Sequence, residues 1–205
     1  VSEQPLAELY GIGKVEGPRV PLVQVPTTAG TGSEVTNITI LTRPDHSKMG
    51  VVAEQLYADR VLLDAELTIG LPPLHTAATG IDAMVHAIES YTSTNANNNP
   101  MSQGLAIRAL ELLSQNLRSA VAQPDNLSAR SAMLLGSMLA GQAFANSPVA
   151  AVHALAYPLG GQFGISHGLS NALMLPHVMR FNASACTERY AELARFVDPG
   201  ITGGS

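Results

Sequence analysis

The sequence lacks tryptophan and has one cysteine, Cys186, among its 205 residues. A single cysteine excludes an internal disulfide framework and favours a reducing compartment, so we expect a cytoplasmic protein. Aromatic residues make up only 4% of the chain, which leaves no platform for stacking nucleic-acid bases. The sequence shows no signal-peptide pattern, and Gly and Gln interrupt its longest apolar-rich segment, residues 131–145, so we expect no membrane contact.

Positive charge is scarce as well. The chain has 11 Lys and Arg residues against 16 Asp and Glu residues, which gives a formal net charge of −5 without any basic cluster. It therefore lacks the electrostatic pattern that binds nucleic acid or an anionic membrane. Its hydrophobic content of 46% is enough to build a core. This composition favours a small, nearly neutral molecule as the binding partner.

The residue composition and the hydrophobic periodicity of the sequence change near residue 70. Before this point, short β-branched segments separated by Pro, Gly and charged turns predict strands, whereas Ala, Leu and Met at helical spacing predict helices after it. We therefore predict an α/β part, residues 1–69, followed by an all-helical part, residues 70–205. The predicted strands are 20–25, 35–42, 50–53 and 61–64, and the predicted helices are 81–91, 101–122, 127–145, 148–159, 168–181 and 187–196.

Asp82 and His86 lie four residues apart in a segment with helical periodicity. At about 3.6 residues per turn, both side chains project from one face of the helix, close enough to bind one ion. Taken alone, the pair also fits an ordinary helix, with a carboxylate favoured near the N-terminus by the helix dipole and an incidental histidine. The pair therefore needs further ligands before it indicates a metal site.

His153 and His167 are the candidates for those further ligands. His153 lies in the apolar segment 150–155, where an imidazole is costly unless its ring nitrogens are satisfied, and a satisfied core histidine is the alternative. His167 lies at a glycine-hinged loop that leads into a helix, and such loops place side chains in clefts. One carboxylate and three imidazoles suit Fe(II) or Zn(II) better than Mg(II), and an open position would make the ion a Lewis acid.

Residues 25–34 form a second candidate site, with the sequence Val-Pro-Thr-Thr-Ala-Gly-Thr-Gly-Ser-Glu. The segment follows a predicted strand, and its small residues, hydroxyls and backbone N–H groups can approach a phosphate or ribose closely. It is not a Gly-x-Gly-x-x-Gly fingerprint, so a simple turn is the alternative. The candidate cofactor-binding residues in it are Thr27, Thr28, Gly30 and Thr31.

Several motifs, in this order along the chain, resemble the iron-containing (group III) alcohol dehydrogenase family. The likeness spans about residues 21–196 and rests on segments 26–36, 71–73, 77–83, 86–89, 153–155, 167–168 and 175–178. The resemblance implies the tail of a Rossmann-like nucleotide-binding domain followed by a helical metal-binding domain, a dehydroquinate synthase-like architecture. It also implies that this chain is shorter than family members at both ends.

The resemblance further implies an activity and a set of site residues. The implied reaction is the reversible oxidation of a small primary or secondary alcohol to an aldehyde or ketone, with NAD or NADP as the hydride carrier. The family's metal ligands fall on Asp82, His86, His153 and His167. Its cofactor contacts fall on Thr27, Thr28, Thr31, Lys48 and Leu67.

Two departures from the family affect these expectations. The Gly-Gly-Gly-Ser phosphate loop of the family's first domain is absent from this sequence, so we expect weak cofactor binding by this chain alone. Apolar faces left uncovered by the absent parts would favour a homo-oligomer. Tyr157 stands where many members carry a second histidine that relays protons, and a tyrosine would relay protons more slowly at neutral pH.

Two other function classes remain open at this point. Residues 164–168, Gly-Ile-Ser-His-Gly, match the nucleophile elbow of serine hydrolases, in which Ser166 would be the nucleophile. That elbow needs a strand before the serine, and an Asp and then a His after it, and no such pair follows here. The other alternative is a truncated, non-catalytic metal-binding helical module. Alcohol-dependent NADH formation would support the dehydrogenase, and ester hydrolysis abolished by Ser166→Ala would support the hydrolase.

Overall fold

Short strands and turns make up the first third of the chain. The structure is a computed structural model that describes residues 4–45, 47–198 and 200. Strand β4 pairs in parallel with β1 and antiparallel with β3, and β2 pairs in parallel with β5. Short 3-10 turns lie at Ser33–Val35, Glu54–Leu56 and Ala65–Thr68. The other elements are helix α1 (Leu6–Leu9) and strands β1 (Gly11–Ile12), β2 (Val23–Gln24), β3 (Ile38–Thr42), β4 (Lys48–Val52) and β5 (Arg60–Val61).

Long helices make up the rest of the described chain. The predicted order, an α/β part followed by a helical part, is confirmed. Each of the four predicted strands overlaps an observed one. The helices predicted at 101–122 and 127–145 each differ by one residue from an observed helix. The helices are α2 (Pro73–Thr92), α3 (Pro100–Ala122), α4 (Leu127–Asn146), α5 (Ala151–Phe163) and α6 (His167–Val197).

Local sequence explains where these helices begin and end. Pro73 lies in the first turn of α2, where its missing N–H costs no hydrogen bond. Asn99 and Asn126 cap α3 and α4 by accepting hydrogen bonds from backbone N–H groups of the first turn. Gly164 follows α5 with a φ of +66°, a left-handed conformation that suits glycine. The chain therefore turns at Gly164, and α6 begins at His167.

The other four helix predictions were wrong in their extent, and the one at 148–159 corresponds to α5, Ala151–Phe163. The sequence predicted a helix from residue 81, but α2 begins at Pro73 and Gly80 lies inside it. A Cβ on Gly80 would lie 2.4 Å from Cδ1 of Leu117, so this glycine serves close helix packing rather than a helix start. The helices predicted at 168–181 and 187–196 are one continuous helix, α6, because residues 182–186 include neither proline nor glycine.

Helices α2, α3 and α4 enclose the main core. Many of its buried side chains are alanines, together with Leu110, Leu113 and Met133, and Leu193 joins them from α6. Small residues let the helix axes come close, since a Cβ on Gly136 would lie 2.9 Å from Cγ of Leu113. Gly136 thus lets α4 pack closely against α3.

The loop at residues 25–34 lies directly against this helical part. A Cβ on Gly30 would lie 2.8 Å from Cβ of Thr79, on α2. Gly32 has a φ of +58°, and a Cβ there would lie 2.7 Å from Cα of Gly141, on α4. Backbone therefore meets backbone at this contact, and neither glycine leaves room for a side chain.

We predict that Gly141→Ala destabilises the protein by about 1–3 kcal/mol, because its Cβ would lie 2.5 Å from the carbonyl oxygen of Gly32. The matched control is Gly104→Ala, on the exposed face of α3, where a Cβ has no heavy atom within 4 Å. The control should gain stability, by up to about 1 kcal/mol, because alanine favours helix. Urea unfolding of both variants measures the effects, and equal stabilities would contradict this packing of the loop.

Candidate metal centre

Three helices bring the four predicted metal ligands together. Helix α2 carries Asp82 and His86, α5 carries His153, and His167 is the first residue of α6. One potential ligand atom from each of these four residues lies within 4.8 Å of the other three. Asp82, His86 and His153 are buried, whereas the His167 side chain is 41% exposed. The group could therefore hold an ion that is accessible from one side.

The donor atoms of the cluster face one another. Oδ1 of Asp82 lies 3.6 Å from Nε2 of His167 and 3.8 Å from Nε2 of His153. The Nε2 atoms of His86 and His153 lie 2.9 Å apart, so they share a proton unless a cation lies beside them. Nδ1 of His86 is buried and has no hydrogen-bond partner among the residues that the structure describes. A divalent ion fits this donor set, because it would satisfy the convergent lone pairs and the carboxylate together.

Burial keeps two histidines of the cluster, His86 and His167, neutral. It lowers the pKa of the His86 imidazole to about 4, although the charge of Asp82 opposes the shift. Burial also lowers the pKa of His167, again against Asp82. Only a neutral imidazole offers a lone pair to a metal, so both residues are ready to act as ligands at neutral pH.

Polar and aromatic residues around the cluster hold its members in place. Glu89 accepts a hydrogen bond from Nδ1 of His153 at 2.7 Å. The Nδ2 atom of Asn171 donates to Oδ1 of Asp82. The ring of Phe144 stacks on His86 with 4.6 Å between centroids. Such supporting contacts orient ligand side chains.

The sequence analysis assigned no role to these supporting residues. Glu89 follows His86 by three residues and Asn171 follows His167 by four, so in both cases helical spacing was a local signal. Phe144 had no comparable signal, since it lies on α4, far along the chain from His86.

A cavity of about 530 Å³ opens beside the cluster. His86, His153 and His167 line it, and Thr31 and Lys48 of the α/β part line it as well. The structure thus brings two of the predicted cofactor residues to the candidate metal centre. Its remaining polar lining consists of Ser33, Thr36, Thr39, Tyr157 and Ser166, and its apolar lining includes Ile38, Ile40, Phe144, Val149, Ala156 and Ile165.

The other predicted cofactor residues do not line this cavity. Thr27 is exposed and Thr28 half-buried in the first part of the loop, and Gly30 is buried against Thr79. Leu67 lies in the 3-10 turn after β5, where it is 49% exposed. Their contact with a cofactor stays a prediction.

Tyr157 and Ser166 lie at the same cavity. The Tyr157 ring stacks on His167 with 6.0 Å between centroids, and burial, with Asp82 and Glu89, raises the pKa of its phenol. Tyr157 therefore stays protonated at neutral pH. The residues before Ser166 belong to helix α5 and its glycine cap, so the strand that a nucleophile elbow needs does not precede it.

Two family models match the chain. The model described as "Iron-containing alcohol dehydrogenase" matches residues 1–65, and "Fe-containing alcohol dehydrogenase family, C-terminal" matches residues 76–202. The chain is 51% identical over 185 residues to long-chain-alcohol dehydrogenase 1 of Geobacillus thermodenitrificans. It is 43% identical over 202 residues to 1,3-propanediol dehydrogenase of Klebsiella pneumoniae. These alignments cover 90% and 98% of this chain, and 46% and 52% of the relatives.

Solved structures share this fold. A 1,3-propanediol oxidoreductase superposes with a TM-score of 0.93 at 42% identity, covering 100% of this chain and 53% of that one. Sulfoacetaldehyde reductase from Bifidobacterium kashiwanohense in complex with NAD⁺ superposes with a TM-score of 0.87 at 35% identity, covering 96% and 52%. The chain thus spans about half the length of these relatives.

The fold and the cluster together define a protein in which a helical part that could hold a divalent ion follows a short α/β part. The chain belongs to the iron-containing alcohol dehydrogenase family. Within the described residues, no helix combines the length and the apolar character needed to cross a membrane.

We predict that the metal-free protein loses stability as the pH falls from 7 to 4. Unfolded His86 takes up a proton near its ordinary pKa of 6.5, whereas folded His86 does so only near 4, so the stabilisation present above pH 6.5 is lost in this window. The loss should reach about 3 kcal/mol, as measured by urea unfolding at several pH values. His86→Gln should flatten the pH dependence and His75→Gln, at an exposed position, should not. Equal slopes in all three proteins would contradict the burial of a neutral His86.

Proposed function

We propose that this chain is the metal-binding part of a nicotinamide-dependent alcohol dehydrogenase. Asp82, His86, His153 and His167 would hold one divalent ion, Fe(II) or alternatively Zn(II). The observation that carries the proposal is the convergence of four ligand atoms within 4.8 Å at the wall of a cavity of about 530 Å³. The activities named for the relatives, oxidation of alcohols and reduction of an aldehyde, support it.

The bound ion would supply a Lewis acid that polarises the C–O group of an alcohol, aldehyde or ketone. Asp82 would offset part of the ion's charge, and the two buried histidines would exclude water from its protein side. In the oxidative direction the alcohol loses a hydride to NAD⁺ or NADP⁺ and a proton to solvent. Tyr157 stays protonated beside His167, so its hydroxyl serves as a hydrogen-bond donor in the cavity.

The cofactor would approach from the α/β part. Thr31 and Lys48 line the same cavity as the histidines, which supports their role as cofactor contacts. The ammonium of Lys48 already donates to Oγ1 of Thr42 at 2.6 Å, so it is held at the end of β3 and the start of β4. Residues 1–69 would thus supply nucleotide contacts and residues 70–205 the metal. Three expectations stay predictions: a cytoplasmic location, a homo-oligomer, and cofactor contacts by Thr27, Thr28, Gly30 and Leu67.

We predict that anaerobically purified protein binds about one Fe(II) or Zn(II) ion per chain, as measured by elemental analysis after dialysis. His153→Ala removes a buried ligand and should weaken binding by more than about tenfold. His177→Ala, an exposed position on α6, is the matched control and should bind metal like the parent. Stoichiometric binding that survives His153→Ala would rule out this ligand set.

We predict that Lys48→Met weakens NADH binding by about tenfold or more, because one charge-assisted hydrogen bond is worth roughly 1.5–3 kcal/mol. Fluorescence titration with NADH measures the change, and Lys14→Met, at an exposed position, is the control.

Alcohol-dependent NADH formation should require the metal and should survive Ser166→Ala. Metal binding without any NADH binding would instead support the non-catalytic module.

A further inference from the structure

Glu89 is a buried carboxylate whose two oxygens are both in use. It lies on α2, one turn after His86, and is 5% exposed. Oε1 accepts a hydrogen bond from the backbone N–H of Val152 at 2.7 Å. Oε2 accepts from the backbone N–H of Ala150 at 3.0 Å and from Nδ1 of His153 at 2.7 Å. One side chain of α2 thus holds both the backbone and a side chain of α5.

The hydrogen bonds from the backbone of α5 to Glu89 replace a side-chain cap, which the sequence of α5 lacks. Ala150 occupies the N-cap position of α5, but it has no side-chain oxygen, and the first turn contains no acidic residue. Free N–H groups at a helix start need acceptors, and a negative charge there is favourable. The carboxylate of Glu89, from another helix, fulfils both needs.

The side-chain contact fixes which nitrogen of His153 carries the proton. Each oxygen of Glu89 accepts a hydrogen bond from a backbone N–H group, an arrangement that favours the ionised carboxylate. An ionised carboxylate only accepts hydrogen bonds, so Nδ1 of His153 must donate. Nε2 of His153 then carries the lone pair, and it points toward Nε2 of His86 at 2.9 Å.

His86 offers an internal comparison. Its Nδ1 atom is buried and has no hydrogen-bond partner among the described residues, so no carboxylate lies behind this ring as Glu89 does behind His153. The ring is held by stacking on Phe144 and His153 instead. Of the two buried histidines of the cluster, His153 is the one whose ring orientation and protonation are both set by a carboxylate.

We infer that Glu89 is a positioning residue that locks His153 in the Nδ1–H tautomer and holds the start of α5 at the cluster. The inference deepens the proposed function, because it assigns a cause to the readiness of His153 for a metal. A carboxylate behind a histidine ligand is a general means of raising ligand basicity and fixing ring orientation. Here the same carboxylate also ties the ligand's helix to α2, so ligand position and tautomer change together.

Glu89→Gln is the informative variant. With the amide oxygen on the Val152 N–H, the amide NH₂ would face both the Ala150 N–H and Nδ1 of His153, which would remove the Ala150 hydrogen bond and favour the proton of His153 on Nε2. We expect the ring-nitrogen NMR spectrum of the metal-free variant to report the Nε2–H tautomer. We also expect its affinity for Zn(II), measured by competition with a chelator, to fall by about 10–100-fold. Glu188→Gln, at an exposed position on α6, should change neither measurement.

The outcomes separate this inference from the proposed function and from a purely structural role. A Glu89→Gln protein that keeps the Nδ1–H tautomer and the parent's Zn(II) affinity, and loses only thermal stability, would show that Glu89 is a helix cap and overturn the inference. If the parent protein binds no Zn(II), the proposed function fails. The ring spectrum of the metal-free parent and variant then decides the inference alone, since a tautomer change supports it and an unchanged tautomer overturns it.

Discussion

The cost of burying ionisable side chains together is the constraint on which the rest of this structure depends. A carboxylate and two imidazoles are buried within one cluster, and each polar atom there needs a partner. Helix α2 supplies most of that chemistry, because Asp82, His86 and Glu89 lie on it at spacings of four and three residues. The face of α2 that these residues share therefore determines where α5 and α6 must lie.

Close backbone packing holds α6 against α2, and a carboxylate holds α5. The start of α6 touches α2 at Gly168, where a Cβ would lie 2.5 Å from the carbonyl oxygen of Ala78. This contact sets the position of His167, the residue before it, and Asn171, one turn later, reaches Asp82. At α5, the carboxylate of Glu89 has the equivalent effect. Close packing thus positions α6, and hydrogen bonds to a carboxylate position α5.

The sequence predicted the elements of this site better than their connections. The spacing of Asp82 and His86 indicated a shared face, but only motif resemblance joined His153 to them. Helical spacing indicated that Glu89 lies near His86 and Asn171 near His167. Their partners were missed because His153 and Asp82 lie 64 and 89 residues away, a separation that no local pattern encodes. The helical extent was misjudged at Gly80 because a glycine packed between helices resembles one that precedes a helix. Local periodicity also does not show which residues of an irregular loop, such as residues 25–34, face a cavity.

The cavity beside the cluster is lined by both apolar and polar side chains. Phe144 stacks on His86 and also lines the cavity, so the side of the cluster that faces α4 is apolar. The α/β part contributes Lys48 and several hydroxyls to the lining but also Ile38 and Ile40, and Tyr157 and Ser166 add hydroxyls from the helical part. Charges next to an apolar wall interact more strongly than charges in water, because the local dielectric constant is lower. The cluster and Lys48 would therefore act on a polar group in the cavity more strongly than they would in water. Fixed charges beside an apolar wall favour one orientation of a polar molecule, and orientation is a large part of what an active site contributes.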